Sequence, residues 1–420
     1  MSFHMPLART AASLEDVMAW ESRFGATNYA PLPVVLAGGA GAYLFDTSGR
    51  RYIDMMSAYS AANFGHLHPR LVETVKRQLA RLDIVSRAYY CDNLGRFCQE
   101  LANLTGLEAC LPMNSGAEAV ETAIKAARRY GCDQLLIPEG KAEIIVAEGN
   151  FHGRTTTIIG FSSEESYKRG FGPFAPGFVS VPYGDAAAVE AAITNLTAAV
   201  LVEPIQGEAG VIVPPEGYLA DLRRLCDRHN VLLLFDEVQS GFGRTGRNFC
   251  FEHENAQPDG LILGKALGGG LVPVSAFVAK RTLMDVFDPG SHGSTFGGNP
   301  IAAAAGREAI AILVEEDLAL RSQVLGKTLV RALSSSSHPA IVAVRGKGLW
   351  AGVELHPAQV SARAVCLAML RRGVLTKETH NTVIRFAPPL IIDEADLVQA
   401  IEVFHDALAE AAAHKLGRAR

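Results

Sequence analysis

The chain has 420 residues, of which 49% are hydrophobic and 20% charged, and its formal net charge is −5, which is typical of a globular protein of about two or three domains. Basic residues number 39 against 44 acidic ones without a dense block, and apolar runs such as 198–202 and 231–235 are far shorter than the ~18 residues of a membrane span, so neither a nucleic-acid nor a membrane partner is expected. Seven cysteines without a Cys-x-x-Cys pair, and the lack of a continuous apolar N-terminal stretch, predict a cytoplasmic location.

Helices and strands are predicted to alternate in the middle of the chain. One helix is opened by Asn114-Ser115-Gly116 and ends at Gly131, and another covers residues 218–229 with Asn230 as its stop. Short apolar runs predict buried strands at 144–147, 199–202, 231–235 and 261–263. Fully apolar strands separated by amphipathic helices indicate an α/β fold with a mostly parallel sheet, which binds ligands beyond the C-terminal ends of its strands.

The last ~80 residues have a different pattern. Residues 341–355 alternate around glycines as a β-hairpin does, and helices are predicted near 361–372 and 397–408. This part of the chain therefore predicts a smaller α+β domain.

The loop from Asn114 to Ala117 has the parts of an anion site. Ser115 supplies a hydroxyl at the N-cap position, Gly116 permits close approach, and the helix start offers free backbone N–H groups. An ordinary helix cap would use the same residues, so the loop alone leaves both interpretations open.

The pair His66-x-His68 has no third metal ligand nearby and precedes a proline that starts a helix, so a structural turn is favoured and no metal site is predicted.

Asp236 and Lys265 end two predicted strands and are 29 residues apart. Adjacent strand ends open into one crevice, so a carboxylate and an amine are expected there beside the anion loop. Pyridoxal 5'-phosphate requires such a trio: a lysine that binds it covalently, an acid that keeps its pyridine nitrogen protonated, and a cradle for its phosphate. These residues therefore predict a pyridoxal phosphate site.

Further motifs run from residue 25 to residue 389. In chain order they are GATNYAPLP (25–33), SAYSAAN (57–63), SRAYY (86–90), MNSGAE (113–118), GNFHGR (149–154), VEPIQGEAG (202–210), DEVQSG (236–241), LGKALGGG (263–270), HGSTFGGNP (292–300) and IRFAPP (384–389). On these motifs the chain resembles the class III aminotransferases of the fold-type I pyridoxal phosphate group over nearly its whole length. The resemblance is strongest to the members of the class that act on ornithine.

The resemblance implies cofactor roles. Lys265 matches the lysine that binds the cofactor and later moves a proton between substrate and cofactor, which requires a lowered pKa, and Asp236 matches the partner of the pyridine nitrogen. The other matching positions are Gln239 at the ring oxygen O3′, Phe151 stacked on the ring with His152 beside it, Ser115, Gly116 and Ala117 at the phosphate, and Thr295, which family members contribute across a dimer interface. A homodimer with shared sites, or a higher oligomer built on it, is therefore implied.

Five residues match substrate contacts of the family. Arg385 resembles the arginine that binds the carboxylate of a 2-oxoacid or of glutamate, a task that suits a planar guanidinium. Glu208 matches the glutamate that pairs with this arginine while an amine donor is bound, although an ordinary salt bridge would look the same. Tyr29 and Arg154 match positions for the α-amino and α-carboxylate groups in the ornithine-type members, and Tyr59 matches a residue that lines the same pocket.

The activity implied is transfer of the δ-amino group of L-ornithine to 2-oxoglutarate in a ping-pong cycle. The products are glutamate and glutamate 5-semialdehyde, which cyclises to pyrroline-5-carboxylate. Two alternatives stay open: a class member with another ω-amine donor, such as N-acetylornithine or 4-aminobutyrate, and a pyridoxal phosphate-binding protein without catalysis.

The family architecture implies a large cofactor-binding domain over residues 45–305 and a small domain formed by 1–44 and 306–420. Three residues depart from the family's pattern, namely His152, Phe64 and Glu378. The first of these concerns the shape of the pocket rather than its chemistry.

Overall fold

A computed structural model describes residues 13–418 of the chain. Its strands are β1 (Leu36–Ala40), β2 (Tyr43–Asp46), β3 (Arg51–Asp54), β4 (Ala109–Met113), β5 (Glu143–Ala147), β6 (Phe178–Val181), β7 (Thr197–Val202), β8 (Leu232–Asp236), β9 (Gly260–Leu263), β10 (Ser275–Ala279), β11 (Ile341–Gly346), β12 (Ala351–Leu355), β13 (Val374–Leu375), β14 (Glu378–Thr379) and β15 (Val383–Phe386).

The helices of the same residues are α1 (Leu14–Phe24), α2 (Ser57–Ser60), α3 (Pro69–Leu79), α4 (Leu94–Thr105), α5 (Gly116–Asp133), α6 (Thr156–Gly160), α7 (Glu165–Lys168), α8 (Ala186–Ala192), α9 (Tyr218–His229), α10 (Arg281–Met284), α11 (Pro300–Glu315), α12 (Leu318–Ser334), α13 (Ala362–Arg371) and α14 (Glu394–Arg418). Short 3₁₀ helices cover Cys250–His253 and Lys265–Gly268. Within this range none of the helices is both long enough and apolar enough to cross a membrane.

The central sheet has the strand order β4-β10-β9-β8-β7-β5-β6 in the described chain. The pairs from β9 to β6 are all parallel, whereas β10 runs antiparallel to both of its neighbours. The predicted strands are β5, β7, β8 and β9, and every residue of β7 and β8 is buried. The α/β fold with a mostly parallel sheet is therefore confirmed, and the C-terminal ends of five adjacent parallel strands lie at one edge.

Helices α9 and α5 show how single residues determine where a helix ends and how closely it packs. Helix α9 ends as predicted, because Asn230 adopts the left-handed conformation, with φ 52°, that closes a helix. Helix α5 begins at Gly116 as predicted, but the predicted stop at Gly131 is wrong, since the helix continues to Asp133. A Cβ at Gly131 would lie 3.0 Å from the Cβ of Ala198 on β7, so this glycine lets the helix pack closely on the sheet.

The two smaller sheets have the orders β1-β2-β3-β13 and β11-β12-β15-β14 in the described residues. The predicted hairpin over 341–355 is confirmed as the antiparallel pair β11 and β12, and the two predicted helices are α13 and α14. Strand β13 pairs in parallel with β3, which joins both ends of the chain in one sheet.

The division into domains stays a prediction. The first small sheet has strands on both sides of the predicted boundary at 44/45, and α11 crosses the boundary at 305/306. Residues 1–12 and 419–420 of the predicted small domain lie outside the described range.

Two remaining sequence features have structural explanations. His66 hydrogen-bonds to Asp54 at 2.8 Å and His68 lies 3.3 Å from Glu316, so the two histidines face different carboxylates. Phe64 is fully buried in the main hydrophobic core, where it contributes packing.

Candidate functional site

A cavity of about 180 Å³ lies at the C-terminal ends of the parallel strands. Its lining residues are Gly116, Ala117, Phe151, His152, Gly153, Glu203, Ile205, Asp236, Val238, Gln239, Ser240 and Lys265. The structure thus brings together most of the predicted cofactor residues, although they come from different strand ends and loops. Ser115 is exposed immediately before the two lining residues of α5, and Thr295 lies elsewhere.

Asp236 is the last residue of β8 and is only 5% exposed. Its Oδ2 lies 2.7 Å from Nδ1 of His152, and its Oδ1 accepts a hydrogen bond of 3.0 Å from the backbone N–H of Val238. Burial alone would lower the pKa of His152, but the hydrogen bond and the negative charge of Asp236, with that of Glu203, outweigh it and raise the pKa. The protonated ring that this favours can donate its Nδ1–H to Oδ2 of Asp236.

Lys265 follows β9 and has φ 46°, a left-handed backbone conformation. Its side chain lines the cavity and is only partly exposed to solvent. Removal from bulk water lowers the pKa of this amine, and Arg385 acts in the same direction, against the opposing charges of Glu208, Asp236 and Glu203. A lowered pKa leaves more of the amine neutral, which is the form that acts as a nucleophile and accepts a proton.

The anion loop lies next to Lys265. Ser115 caps α5: its hydroxyl accepts from the N–H of Glu118 at 3.3 Å, and the carboxylate of Glu118 accepts from the N–H of Ser115 at 2.8 Å. Gly116 and Ala117 follow in the first turn, whose N–H groups have no intrahelical acceptor. A Cβ at Gly116 would lie 3.0 Å from a methyl group of Val238 and would fill the space over these donors.

These residues fit pyridoxal phosphate. The cavity presents an amine whose pKa is lowered, a buried carboxylate anchored on both oxygens, and a helix start suited to a phosphate. Gln239 also lines the cavity and is 8% exposed. A Cβ at Gly207 would lie 2.1 Å from the side-chain oxygen of Gln239, so the motif's glycine makes room for this amide.

Glu203 is a cavity residue that the sequence patterns did not single out. It follows β7 directly, accepts a hydrogen bond of 2.9 Å from the N–H of Phe151, and burial raises its pKa to about 7. Its position at the end of a parallel strand is the same signal that identified Asp236, so the strand-end argument applied to β7 would have found it.

The Glu208–Arg385 pair lies beside the cavity, close enough for both charges to act on Lys265. Arg385 lies on β15, and its Nη1 donates to Oε1 of Glu208 at 2.6 Å, although the two residues are 177 positions apart. The side chain of Arg385 is 6% exposed and that of Glu208 is 22% exposed. Nε of Arg385 is buried and has no partner in the described residues, so the guanidinium keeps an unused donor.

Tyr59 packs against Arg385, whose guanidinium carbon lies 4.8 Å from the centre of the tyrosine ring. It belongs to α2, where residues 57–60 have φ values of 47°, 46°, 60° and 73°, which is a left-handed turn made without glycine. Each such residue costs about 1–2 kcal/mol, and strain of this kind is concentrated at functional sites.

The remaining predicted substrate residues lie further out. Tyr29 is 75% exposed and lies outside the cavity lining, within electrostatic range of Tyr59, whose pKa is raised mainly by burial. Arg154 is exposed outside the cavity lining, with its guanidinium carbon 3.7 Å from the ring centre of Tyr167 and 5.4 Å from that of Phe151. Neither residue lines the cavity of Lys265.

Glu237, the neighbour of Asp236, does not line the cavity and forms hydrogen bonds within the protein interior. Its carboxylate accepts hydrogen bonds from the N–H groups of Cys250 and Phe251, at 2.7 and 2.9 Å, and from the hydroxyl of Ser240 at 3.0 Å. Burial nevertheless raises its pKa to about 7 from an ordinary value of 4.5. The folded chain therefore retains this proton at a pH where the unfolded chain has released it.

We expect Glu237→Gln to weaken the pH dependence of stability. The stabilising effect of the retained proton is complete below pH 4.5 and is lost as pH rises through about 7, at up to ~1.4 kcal/mol per pH unit. Glutamine does not titrate, so the decrease in melting temperature between pH 5 and pH 7.5 should be smaller in the variant than in the wild type. Exposed Glu139→Gln is the control, and parallel curves for Glu237→Gln and wild type would contradict the expectation.

Known proteins resemble this chain over almost its full length. Residues 24–408 match the family model of the class-III aminotransferases. The ornithine aminotransferase of Exiguobacterium sp. is 53% identical over 397 residues, which cover 94% of this chain and 98% of that protein. Toxoplasma gondii ornithine aminotransferase, crystallized with oxidized glutathione and with pyridoxal phosphate at partial occupancy in its active site, has a TM-score of 0.94 and 39% identity over 96% of each chain. Acetylornithine aminotransferase of Elizabethkingia anophelis has a TM-score of 0.86 and 43% identity over 95% of this chain and 100% of that one.

The chemistry of the cavity is that expected for the class-III aminotransferases. Class-III aminotransferases depend on pyridoxal phosphate, and the amine of Lys265, the carboxylate of Asp236 and the start of α5 are arranged for that cofactor. The T. gondii enzyme matches the fold over 96% of this chain. The chain belongs to the class-III aminotransferase family and its cofactor is pyridoxal phosphate.

Proposed function

We propose that this aminotransferase transfers the δ-amino group of L-ornithine to 2-oxoglutarate, giving glutamate 5-semialdehyde and glutamate. The observation that carries the proposal is the hydrogen-bonded Glu208–Arg385 pair beside the amine of Lys265, with Tyr59 packed on the guanidinium of Arg385. Such a pair suits an enzyme that accepts a cationic donor and a dianionic acceptor in turn. The relative of 53% identity from Exiguobacterium, an ornithine aminotransferase, supports this choice of donor.

Two side chains would perform the chemistry at the cofactor, which, when bound, supplies an electron sink for the carbanion formed on the substrate. Asp236 would hold a proton at the pyridine nitrogen, because its carboxylate is fixed by His152 and by the N–H of Val238. Nζ of Lys265 would hold the cofactor between turnovers and would carry a proton during turnover, for which its lowered pKa fits.

The Glu208–Arg385 pair would select between the two substrates. While the pair is closed, Glu208 neutralises Arg385, so the ammonium group of ornithine meets no net positive charge there. A substrate carboxylate would displace Glu208 and form a bidentate pair with the same guanidinium. Glu208 is 22% exposed, which leaves it room to move away.

Coupling of ornithine with 2-oxoglutarate tests the proposed function. The holoenzyme should form pyrroline-5-carboxylate, which reacts with o-aminobenzaldehyde to a coloured product, and it should form an equal amount of glutamate. The visible absorbance of the bound cofactor should be bleached by ornithine and restored by 2-oxoglutarate. Absence of the coloured product would contradict the choice of donor, and an unresponsive spectrum would favour a binding protein without catalysis.

Arg385→Gln should act mainly on the acceptor. Loss of one partner of a buried, hydrogen-bonded charge pair costs about 2 kcal/mol or more, so KM for 2-oxoglutarate should rise by about 30-fold or more. Ornithine would not use this guanidinium, and the rate of its half-reaction should change by less than about threefold. Arg371→Gln, which breaks an exposed pair with Glu410, is the matched control. Equal losses for the two substrates would contradict the role of Arg385.

N-acetylornithine is a second candidate donor. The acetylornithine aminotransferase of E. anophelis has 43% identity to this chain, against 39% for the T. gondii ornithine enzyme. Acetylation removes the positive charge of the α-amino group, so the two donors differ in what Tyr29 would bind. Comparison of kcat/KM for the two donors under the same conditions decides between them.

A homodimer with shared sites is also proposed. Thr295 is exposed and lies outside the cavity of Lys265, in a second cavity of about 590 Å³ lined by residues 84–87 and 293–295. Tyr89 and Phe296 beside it are 72% and 58% exposed, and exposed apolar side chains of this kind mark interfaces. Sedimentation analysis of the holoenzyme measures the oligomeric state.

A cytoplasmic location is also proposed. It is supported by the seven cysteines, all of which are unbridged in the described range.

A further inference from the structure

The N-terminal arm, residues 13–35, is attached to the rest of the molecule mainly at its second half. Helix α1 at its start has no buried residue within the described part of the arm. Leu32 and Val34 near its end pack against the small apolar cluster of Tyr52, Leu370 and Leu375. Tyr29 lies between these parts, so its position depends on what holds the chain immediately after it.

Two cations hold the arm at that point. Arg363 donates from Nη1 to the carbonyl of Ala30 at 3.0 Å and from Nη2 to the carbonyl of Pro31 at 2.6 Å. Lys377 donates from Nζ to the same carbonyl of Ala30 at 3.0 Å. Three hydrogen bonds from charged donors therefore fix the two peptide groups that follow Tyr29, and such bonds are about twice as strong as neutral ones.

Glu378 lies behind both cations. Its Oε1 is 3.2 Å from Nη1 of Arg363 and 3.5 Å from Nζ of Lys377, and its side chain is only 11% exposed. Burial would raise the pKa of this carboxyl, but a backbone hydrogen bond and the two cations outweigh it and lower the pKa. Both cations lie on Oε1, whereas Oε2 is buried without an oxygen or nitrogen partner in the described residues. Without this carboxylate, two like charges would face the same carbonyl of Ala30 and repel each other.

We infer that Glu378 is a positioning residue that, through Arg363 and Lys377, places Tyr29 at the donor side of the site and thereby sets the affinity for the amine donor. The inference rests on the proposed function, because Tyr29 matters only to a donor that carries an α-amino group. Tyr29 is next to Ala30 in the chain and lies close to Tyr59, which in turn packs on Arg385. The carboxylate of Glu378 acts on substrate only through this sequence of contacts.

Glu378→Gln in the holoenzyme tests the inference. The amide keeps the shape but removes the charge, so KM for ornithine should rise by about 10-fold, while kcat and KM for 2-oxoglutarate stay within about twofold. Glu410→Gln is the matched control, because Glu410 also pairs with two arginines, Arg371 and Arg372, but does not contact the arm. A merely structural loss would lower the activity toward donor and acceptor alike.

A double-mutant cycle with Tyr29→Ala shows whether the effect passes through Tyr29. Once Tyr29 is removed, Glu378→Gln should change KM for ornithine by less than about twofold, whereas independent residues would give additive losses. Lys377→Met removes one of the donors to the carbonyl of Ala30, so it should also raise KM for ornithine. This variant replaces Glu378→Gln in the experiment if Glu378→Gln does not fold. Additive losses, equal losses for donor and acceptor, or no change in any variant would overturn the inference. If the wild type does not turn over ornithine, the proposed function fails and the cycle is measured with the donor that it prefers.

Discussion

Lys265→Ala is expected to abolish transamination, with a decrease in kcat of at least about 10⁴-fold, because one side chain supplies both the covalent attachment of the cofactor and the proton transfer. Lys265 is the only lysine that lines the cavity in the described residues, so no neighbour replaces its amine. The variant should also lose the visible absorbance of the covalently bound cofactor. Rapid-mixing measurements of the ornithine half-reaction, together with the spectrum of the purified variant, test this expectation.

Lys141→Ala is the control for this experiment, because Lys141 is exposed just before the N-terminal end of β5 and does not line the cavity. A Lys265→Ala variant that kept more than about 1% of wild-type turnover would show that another group carries the proton.

Asp236→Asn should have the second-largest effect, a decrease in kcat of about 10²- to 10³-fold, which is the usual cost of removing one preorganised electrostatic partner. The amide has no negative charge to hold a proton at the pyridine nitrogen. Its loss also removes the interaction that raises the pKa of His152, so burial, which lowers that pKa, should dominate and leave the ring neutral. Steady-state kinetics and the visible spectrum of the reconstituted variant measure both effects.

Cofactor retention should fall in the same Asp236→Asn variant. A hydrogen bond to a charged group contributes about 1.5–3 kcal/mol, so the dissociation constant for pyridoxal phosphate should rise by about 10- to 100-fold. Asp133→Asn, at an exposed residue that pairs with Arg129, is the control. Unchanged kcat and unchanged cofactor affinity in Asp236→Asn would exclude the proposed role.

The chemistry at the strand ends could be predicted from the sequence because it follows local rules. Buried parallel strands are continuous apolar runs, and the first polar residue after each run lies at the ligand-binding edge. This rule places Asp236 and Lys265 without any tertiary information, and helix capping does the same for Ser115. Glu203 follows the same rule, because it is the first polar residue after β7. The stop at Gly131 was wrong because a glycine can serve close packing as well as a helix end.

Other parts of the site depend on contacts that no local pattern encodes. The Glu208–Arg385 distance is set by the packing of β15 near the loop after β7, across 177 residues. The left-handed turn at Tyr59 contains no glycine from which it could be predicted, because tertiary contacts impose this conformation on ordinary residues. The role of Glu378 depends likewise on two carbonyl groups from the far end of the chain. Only the resemblance to a known family could point to such residues before the structure.

The pairing of β13 with β3 has a consequence for how the polypeptide is made. Val374 lies beside Ile53, so the N-terminal sheet lacks its last strand until 321 further residues have been synthesised. At about 5–20 residues per second this takes roughly 15–65 s, during which the free edge of β3 can pair with other chains. A chain that ends before residue 374 therefore keeps this edge of β3 without its partner strand.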